Sequence, residues 1–300
     1  MARAPLVSVL VLACNKARMT QRCLEALLAT DYPRVELWLV DNGSSDNTPE
    51  VFDRTAAEAT ARDGWCARRI DFPDNVGAVA GRNAALEQVR GDYVAFVDND
   101  VVVAGDAWLR ACVDRMERDP RVGVLGPKLV FPRPAHMLQC AGCAVTPTGR
   151  VQFVGRGEDA RAPEYNTERE VQCLISACWV LRGSVLREAG LLDMAYHPVQ
   201  FEDIDYCYRV RERGYRALYF PGAMAYHYEN VTTDGTAGLN YRYVTVRNGL
   251  TFKRRWRHRF AVEGGPADET VVWKELPRVS WEEVEAQAPS QPDAGRASDA

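Results

Sequence analysis

Three hundred residues at 47% hydrophobic and 26% charged describe an ordinary globular chain, with enough apolar material for one large α/β domain or two modest ones. A formal net charge of -4 argues against nucleic acid as the main partner, because such binding runs on an excess of Lys and Arg facing phosphates. Nine scattered cysteines, an odd number in a chain too large to need stapling, point to a reducing compartment and a cytoplasmic protein.

Arg3, the apolar run 6–13 and Cys14 imitate a short lipoprotein signal, but Pro5 and Ser8 interrupt it, and the run suits the first buried strand of a parallel sheet. Further strand-like runs at 35–40, 66–72 and 93–97 alternate with helix-like segments at 17–29, 48–62 and 77–90, the second opened by Asp46, Asn47, Thr48 and Pro49 as cap and first turn. This alternation is the pattern of βαβ units in a mostly parallel sheet. Beyond 120, strand-like runs at 122–131, 143–154 and 171–181 surround a polar segment, 156–168, expected to be mobile. A helix at 202–213 leads into runs at 216–220 and 223–227, and another helix is expected over 239–256. The Glu-, Ala-, Pro-, Ser- and Asp-rich end beyond 277 reads as a disordered tail. No stretch approaches the ~20 apolar residues of a membrane span. Cys140 and Cys143 form a CxxC without the second pair a structural zinc site would use, and read as buried small hydrophobes.

Sheets wound in this way bind ligands at the carboxyl ends of their strands, and those ends are polar here: Cys14-Asn15-Lys16, Asp41 to Asp46, Asp74 to Gly77, and Asp98-Asn99-Asp100. Two carboxylates at i and i+2, Asp98 and Asp100, can project toward one hard cation, magnesium or manganese, supplemented by a diphosphate. Such a cation stabilises a diphosphate leaving group whose charge grows as its bond breaks. Asp41 can accept hydrogen bonds from a base or ribose, or simply shape its turn. Asn75, Gly77, Arg82 and Asn83 open a helix whose amides and guanidinium can face phosphate. Asn15 and Asn99 complete the donor-binding candidates. Glu202 and Asp203 begin an amphipathic helix, and either could take a proton from an attacking hydroxyl. His227, as neutral imidazole, could complete the shell begun by Asp100.

With these residues assembled, the chain resembles glycosyltransferase family 2 over about residues 6–256. The matching elements are Val40 to Asp46, Asn75 to Asn83, Gly91 to Asp100, Ser176 to Arg182, and Phe201-Glu202-Asp203-Ile204-Asp205 leading to His227. The resemblance implies a GT-A fold, a single mostly parallel central sheet flanked by helices. Residues 1–120 would form the nucleotide-sugar-binding half, 121–260 the acceptor-binding and catalytic half, and 261–300 a C-terminal extension. It also implies a nucleoside-diphosphate sugar donor (UDP-, dTDP- or GDP-linked), a divalent cation and inversion at the anomeric carbon. Asp41 would serve the nucleoside, Asp98 and Asp100 the ribose and the metal-diphosphate, Asp203 the general base and His227 the metal. The likeness is greatest to rhamnosyltransferase-type members acting on cell-envelope or polysaccharide acceptors. Cys14 departs from the Tyr or Pro common at that place in the family, which leaves the base contacts of that loop open.

A glycan or lipid-linked acceptor would enter over 170–205, lined by Trp179, Tyr196, His197 and Gln200. The basic stretch 242–259 offers a peripheral contact with anionic lipid, placing the protein at the inner face of the cell membrane, each basic residue near such a surface being worth about 1 kcal/mol. A homodimer stays open. The alternatives are a sugar-phosphate nucleotidyltransferase, for which Ala13-Cys14-Asn15-Lys16 lacks the expected Gly-rich loop, and a catalytically silent nucleotide-sugar or glycan-binding protein.

Overall fold

The structure, a computed structural model, describes residues 3–229, 240–272, 274 and 276. The first apolar runs form β1 (Val7–Ala13), β2 (Val35–Asn42), β3 (Trp65–Phe72) and β4 (Tyr93–Val97). β1 pairs in parallel with both β2 and β4, and β2 with β3. Each parallel step needs a crossover, which α1 (Ala17–Leu28), α2 (Thr48–Thr60) and α3 (Ala78–Leu86) provide. α1 buries Met19, Thr20, Cys23, Leu24 and Leu27, a single stripe at helical spacing. α2 starts where the Asp46 carboxylate accepts from Thr48 N at 2.9 Å, with Pro49 in its first turn.

After β4 the chain turns through Asp98-Asn99-Asp100 into β5 (Val101–Ala104) and α4 (Trp108–Glu117), two elements beyond those expected. β6 (Val122–Val130) is buried at every residue, and β7 (Leu138–Cys140) pairs with its end. The run at 143–154 is two strands rather than one: β8 (Cys143–Val145) and β9 (Val151–Phe153) form a hairpin through Gly149 at φ 81°. The run at 171–181 likewise divides into β10 (Arg169–Val171) and β11 (Cys178–Arg182). α5 (Gly183–Ala189) and α6 (Glu202–Glu212) follow, then β12 (Arg216–His227), which joins both expected runs by absorbing Pro221-Gly222 as a register irregularity against β6. α7 (Tyr241–Phe260) continues past the expected end at 256, because Phe260 is still buried.

The main sheet has ten strands, ordered β10-β12-β6-β11-β4-β1-β2-β3, with β5 on β12 and β7 on β6. It is parallel through β4-β1-β2-β3 and mixed beyond, since β11 runs antiparallel to both β4 and β6. The expectation of a mostly parallel sheet therefore describes its first half. β11 sits between the halves and joins them by hydrogen bonds, so one core runs through both.

The segment 156–168 is tied down rather than loose: Arg156 forms a two-pronged ion pair with Glu229, and the Lys128 ammonium donates to Ala160 O at 3.0 Å. Cys140 and Cys143 are buried with their sulfurs 3.7 Å apart. Among the described residues no helix is long and apolar enough to cross a membrane. The expected tail beyond 277 lies outside the described residues.

Candidate functional site

β4 ends at Val97, and the turn that follows places Asp98 and Asp100 at the carboxyl end of the parallel sheet. β12 then runs antiparallel to β5 with His227 opposite Val101, one residue past Asp100. That register brings His227 Nε2 to 3.4 Å from Asp100 Oδ1, and ligand atoms of Asp98, Asp100 and His227 all lie within 4.8 Å of one another. Two carboxylate oxygens and an imidazole nitrogen at this spacing fit a manganese or magnesium ion, whose remaining positions a diphosphate can fill. Gln139 Oε1 lies 2.9 Å from His227 Nδ1. With that oxygen as acceptor, Nδ1 carries the proton and Nε2 turns its lone pair toward the two aspartates. Burial acts to lower the His227 pKa, but the Asp100 carboxylate, which accepts a hydrogen bond from Nε2 only when the ring is protonated, overrides this and raises it.

Arg82 joins this cluster to the acidic pair. Its guanidinium is almost wholly buried, pairs with Asp98, and donates to Glu202 Oε1 and Ser176 Oγ, both at 3.1 Å. The Asp98 pKa is raised because burial outweighs the Arg82 charge. Glu202 is pushed up to about 7, by burial first and then by Asp203, against the pull of Arg82. Asp203 is half-buried and accepts from Ser176 N at 3.1 Å and Ile204 N at 2.7 Å. Burial raises its pKa too, with those amides opposing. Of the two carboxylates, Glu202 is buried against a guanidinium, while Asp203 is held by backbone at the first turn of α6.

On the donor side, Asp41 Oδ1 accepts from Ser44 N at 2.9 Å, and Asn15 Oδ1 accepts from Ser45 N at 2.8 Å, so the first two strand-end loops shape each other. Asn75 Oδ1 accepts from Asn42 Nδ2 at 3.0 Å and from Gly77 N at 2.8 Å. Gly77 has φ 82°, and a Cβ there would stand 2.7 Å from Pro198 Cβ, so the start of α3 abuts the loop before α6.

Three expected contacts are corrected. Asn99 is 2% exposed and donates to Thr20 Oγ1 of α1 at 3.0 Å, so its amide is turned into the protein rather than toward a ligand. Trp179 is 0% exposed because β11 is an interior strand whose two faces are both covered, so it cannot line an acceptor cleft. Tyr196 is also 0% exposed, its hydroxyl donating to Asp205 Oδ1 at 3.0 Å. His197 and Gln200 are half-buried on the segment leading to α6. Gln139 and Ser176 escaped the site residues expected from sequence. The only hint of Gln139 is a polar side chain inside the apolar Met137-Leu138-Gln139-Cys140, and Ser176 lay within a matching segment without a role.

The model of the family described as glycosyl transferase family 2 matches residues 8–133. The chain is 31% identical over 268 residues, 86% of its length, to uncharacterized protein y4gI of Sinorhizobium fredii. To O-antigen biosynthesis protein RfbC of Myxococcus xanthus it is 29% identical over 247 residues, 78% of its length. It spans 28% of the first relative and 18% of the second. Among solved structures it resembles mannosyltransferase PcManGT from Pyrobaculum calidifontis in complex with GDP-Man and Mn2+, with TM-score 0.57 and 19% identity over 89% of this chain and 67% of that one. This likeness is one of fold, the GT-A arrangement of a central sheet between helices.

Proposed function

We propose, for a chain that carries a glycosyl transferase family 2 domain at residues 8–133, that it transfers a sugar from a nucleoside diphosphate to an acceptor hydroxyl with inversion at the anomeric carbon. The observation that carries this reading is the convergence of Asp98, Asp100 and His227, with Arg82 bridging Asp98 to the carboxylate next to Asp203. Asp98, Asp100 and His227 would hold a divalent cation, whose chemistry there is to neutralise the charge that develops on the diphosphate as the glycosidic bond breaks. PcManGT, a neighbour in fold, was solved with GDP-Man and Mn2+, which supports a nucleotide-sugar donor and a manganese-type site.

Asp203 takes the proton from the acceptor hydroxyl as its oxygen bonds to the anomeric carbon, and the bond from that carbon to the diphosphate oxygen breaks on the opposite side. Its two amide hydrogen bonds keep the carboxylate oriented without neutralising it. Arg82 keeps Glu202 occupied, which leaves Asp203 as the base. Asp41, Asn15, Asn75 and Gly77 shape the strand-end loops that would receive the nucleoside and phosphates. His197 and Gln200 remain as acceptor-side candidates. Kinship with an O-antigen biosynthesis protein supports a cell-envelope polysaccharide or lipid-linked acceptor, with 242–259 as the contact to an anionic membrane surface.

The test is Asp203→Asn. Turnover should fall by about two orders of magnitude or more, as loss of a general base does, while calorimetric binding of the donor with Mn2+ stays near wild type. The wild type should release nucleoside diphosphate. Release of pyrophosphate would instead establish nucleotidyl transfer, and an Asp203→Asn protein as active as wild type would move the base elsewhere.

A further inference from the structure

α7 lies outside the segment that the family model matches, and its buried face repeats every four residues: Val244, Asn248, Phe252, Trp256 and Phe260. Asn248 breaks the apolar series, yet it is 0% exposed. A buried amide in such a place needs partners. Its two Nδ2 hydrogens serve three carbonyls, Tyr196 O at 2.8 Å and Val199 O and Gln200 O at 2.9 Å each, so one hydrogen is shared between two of them. Its Oδ1 accepts from Arg247 Nε at 2.9 Å, and the same guanidinium donates to His197 O. Pro198 O, the remaining carbonyl, accepts from Val79 N of α3 at 3.0 Å. Every backbone carbonyl from 196 to 200 is thus satisfied, four of them by two adjacent side chains of one helix.

The segment so held is one that would not hold itself. Gln200 and Phe201 both adopt positive φ, 82° and 71°, a region that non-glycine residues rarely enter, and Glu202 and Asp203 follow at once. Phe201 then packs over α7: its ring lies 5.7 Å from that of Phe252, and a Cβ on Gly249 would stand 3.2 Å from Phe201 Cζ. Gly249 leaves room for the ring, as Asn248 holds the backbone before it. At its other side the segment abuts Gly77, at the start of α3.

We infer that Arg247-Asn248-Gly249 is a positioning clamp for the general base: it fixes the strained approach to α6 and thereby sets where the Asp203 carboxylate stands against the acceptor. The inference rests on the proposed role of Asp203, and it assigns to α7 a part in catalysis without contact to any reacting atom. A small displacement of a base is enough to cost a large factor in rate, since a misplacement of about 1 Å can lose roughly 100-fold.

Two variants separate this role from ordinary stabilisation. Asn248→Ala removes the donors, and turnover should fall at least about tenfold. Affinity for Mn2+ alone, measured by electron paramagnetic resonance, should stay within about twofold, because the aspartates and His227 are held by other elements. Amide exchange should rise over 200–204 and not at 98–100. Gly249→Ala adds a methyl to which the Phe201 ring must yield by a few tenths of an ångström, so kcat should fall by more than any change in melting temperature explains, the better helix former offsetting part of the strain. Combined with Asp203→Asn, Asn248→Ala should remove little further activity, since both act on one function. A fall in Mn2+ affinity parallel to kcat, wild-type turnover in Gly249→Ala, or losses that multiply in the double variant would each overturn the clamp. Wild-type turnover in Asp203→Asn alone would instead refute the base assignment on which it rests.

Discussion

Glu202 and Asp203 are consecutive, yet their surroundings set them apart. Glu202 is buried with one oxygen on the Arg82 guanidinium and the other without a hydrogen-bond partner, and burial followed by the Asp203 charge pushes its carboxyl up to about 7 from 4.5. The folded state therefore retains a proton that the unfolded chain has already released, and stability from this group is full below about pH 4.5 and lost as pH rises through about 7. Glu202→Gln has no such proton to lose. Its stability relative to wild type should shift in the variant's favour by on the order of 2–3 kcal/mol between pH 4.5 and pH 7.5, read by urea unfolding at both values. A difference independent of pH would mean that Glu202 is ionised throughout, with Arg82 dominating its environment. Asp203, held by two amides, would have the opposite requirement in its proposed role, since a base must be ionised to accept a proton.

At the scale of elements, one of the shortest strands reaches into the candidate metal site. β7 has three residues, and its central Gln139 reaches His227 from the other side of the end of β6, where β7 and β12 both pair. Gln139→Leu keeps the bulk and removes the acceptor that fixes the imidazole, so Mn2+ affinity should weaken about 10–100-fold, measured without any sugar, whereas Gln139→Glu should retain it. Equal affinity in all three proteins would show that β12 packing alone orients the ring. Nothing in sequence could place this contact, because a strand of three residues has no period to read and its partner is 88 residues away. The same reason explains why β8, β9 and β10 blurred into longer runs, while β1, β2 and β4, separated by helices with clear apolar stripes, stood where expected. α4 is a different case, since Trp108, Leu109, Cys112, Val113 and Met116 are buried at full helical spacing and sequence suffices to place it. Asp98 and Asp100 were legible as polar residues ending a buried strand. Trp179 and Tyr196 were not, because an aromatic with a polar atom reads alike as core or cleft, and only their interior packing decides.

The whole molecule is acidic, with a net charge of -4, but α7 carries no Asp or Glu between Tyr241 and Phe260. Its outer face combines the exposed side chains of Tyr243 (63%), Val246 (57%) and Leu250 (56%), three positions on one side of the helix, with the cations Arg242, Arg254 and Arg257 beside and beyond them. An apolar stripe bordered by cations is the chemistry of a helix lying on an anionic lipid surface. Each cation near such a surface contributes about 1 kcal/mol, and the attraction falls off within a Debye length of about 10 Å at 0.1 M salt. The protein should therefore cosediment with vesicles containing anionic lipid at low salt, bind zwitterionic vesicles far less, and lose at least about tenfold in binding when Arg254 and Arg257 are both changed to Glu. Failure to bind anionic vesicles at low salt would rule out the membrane contact. The position of this face also bears on mechanism. It lies opposite the side of α7 that presents Asn248 to the segment before Asp203, so a docked helix would stand between bilayer and base, and a helix with its side chains is only about 10–12 Å across. A lipid-linked acceptor would then be gathered on the surface where α7 docks, whereas a free glycan would gain nothing from the contact; turnover of a lipid-linked acceptor should accordingly depend on Arg254 and Arg257, and that of a water-soluble analogue should not.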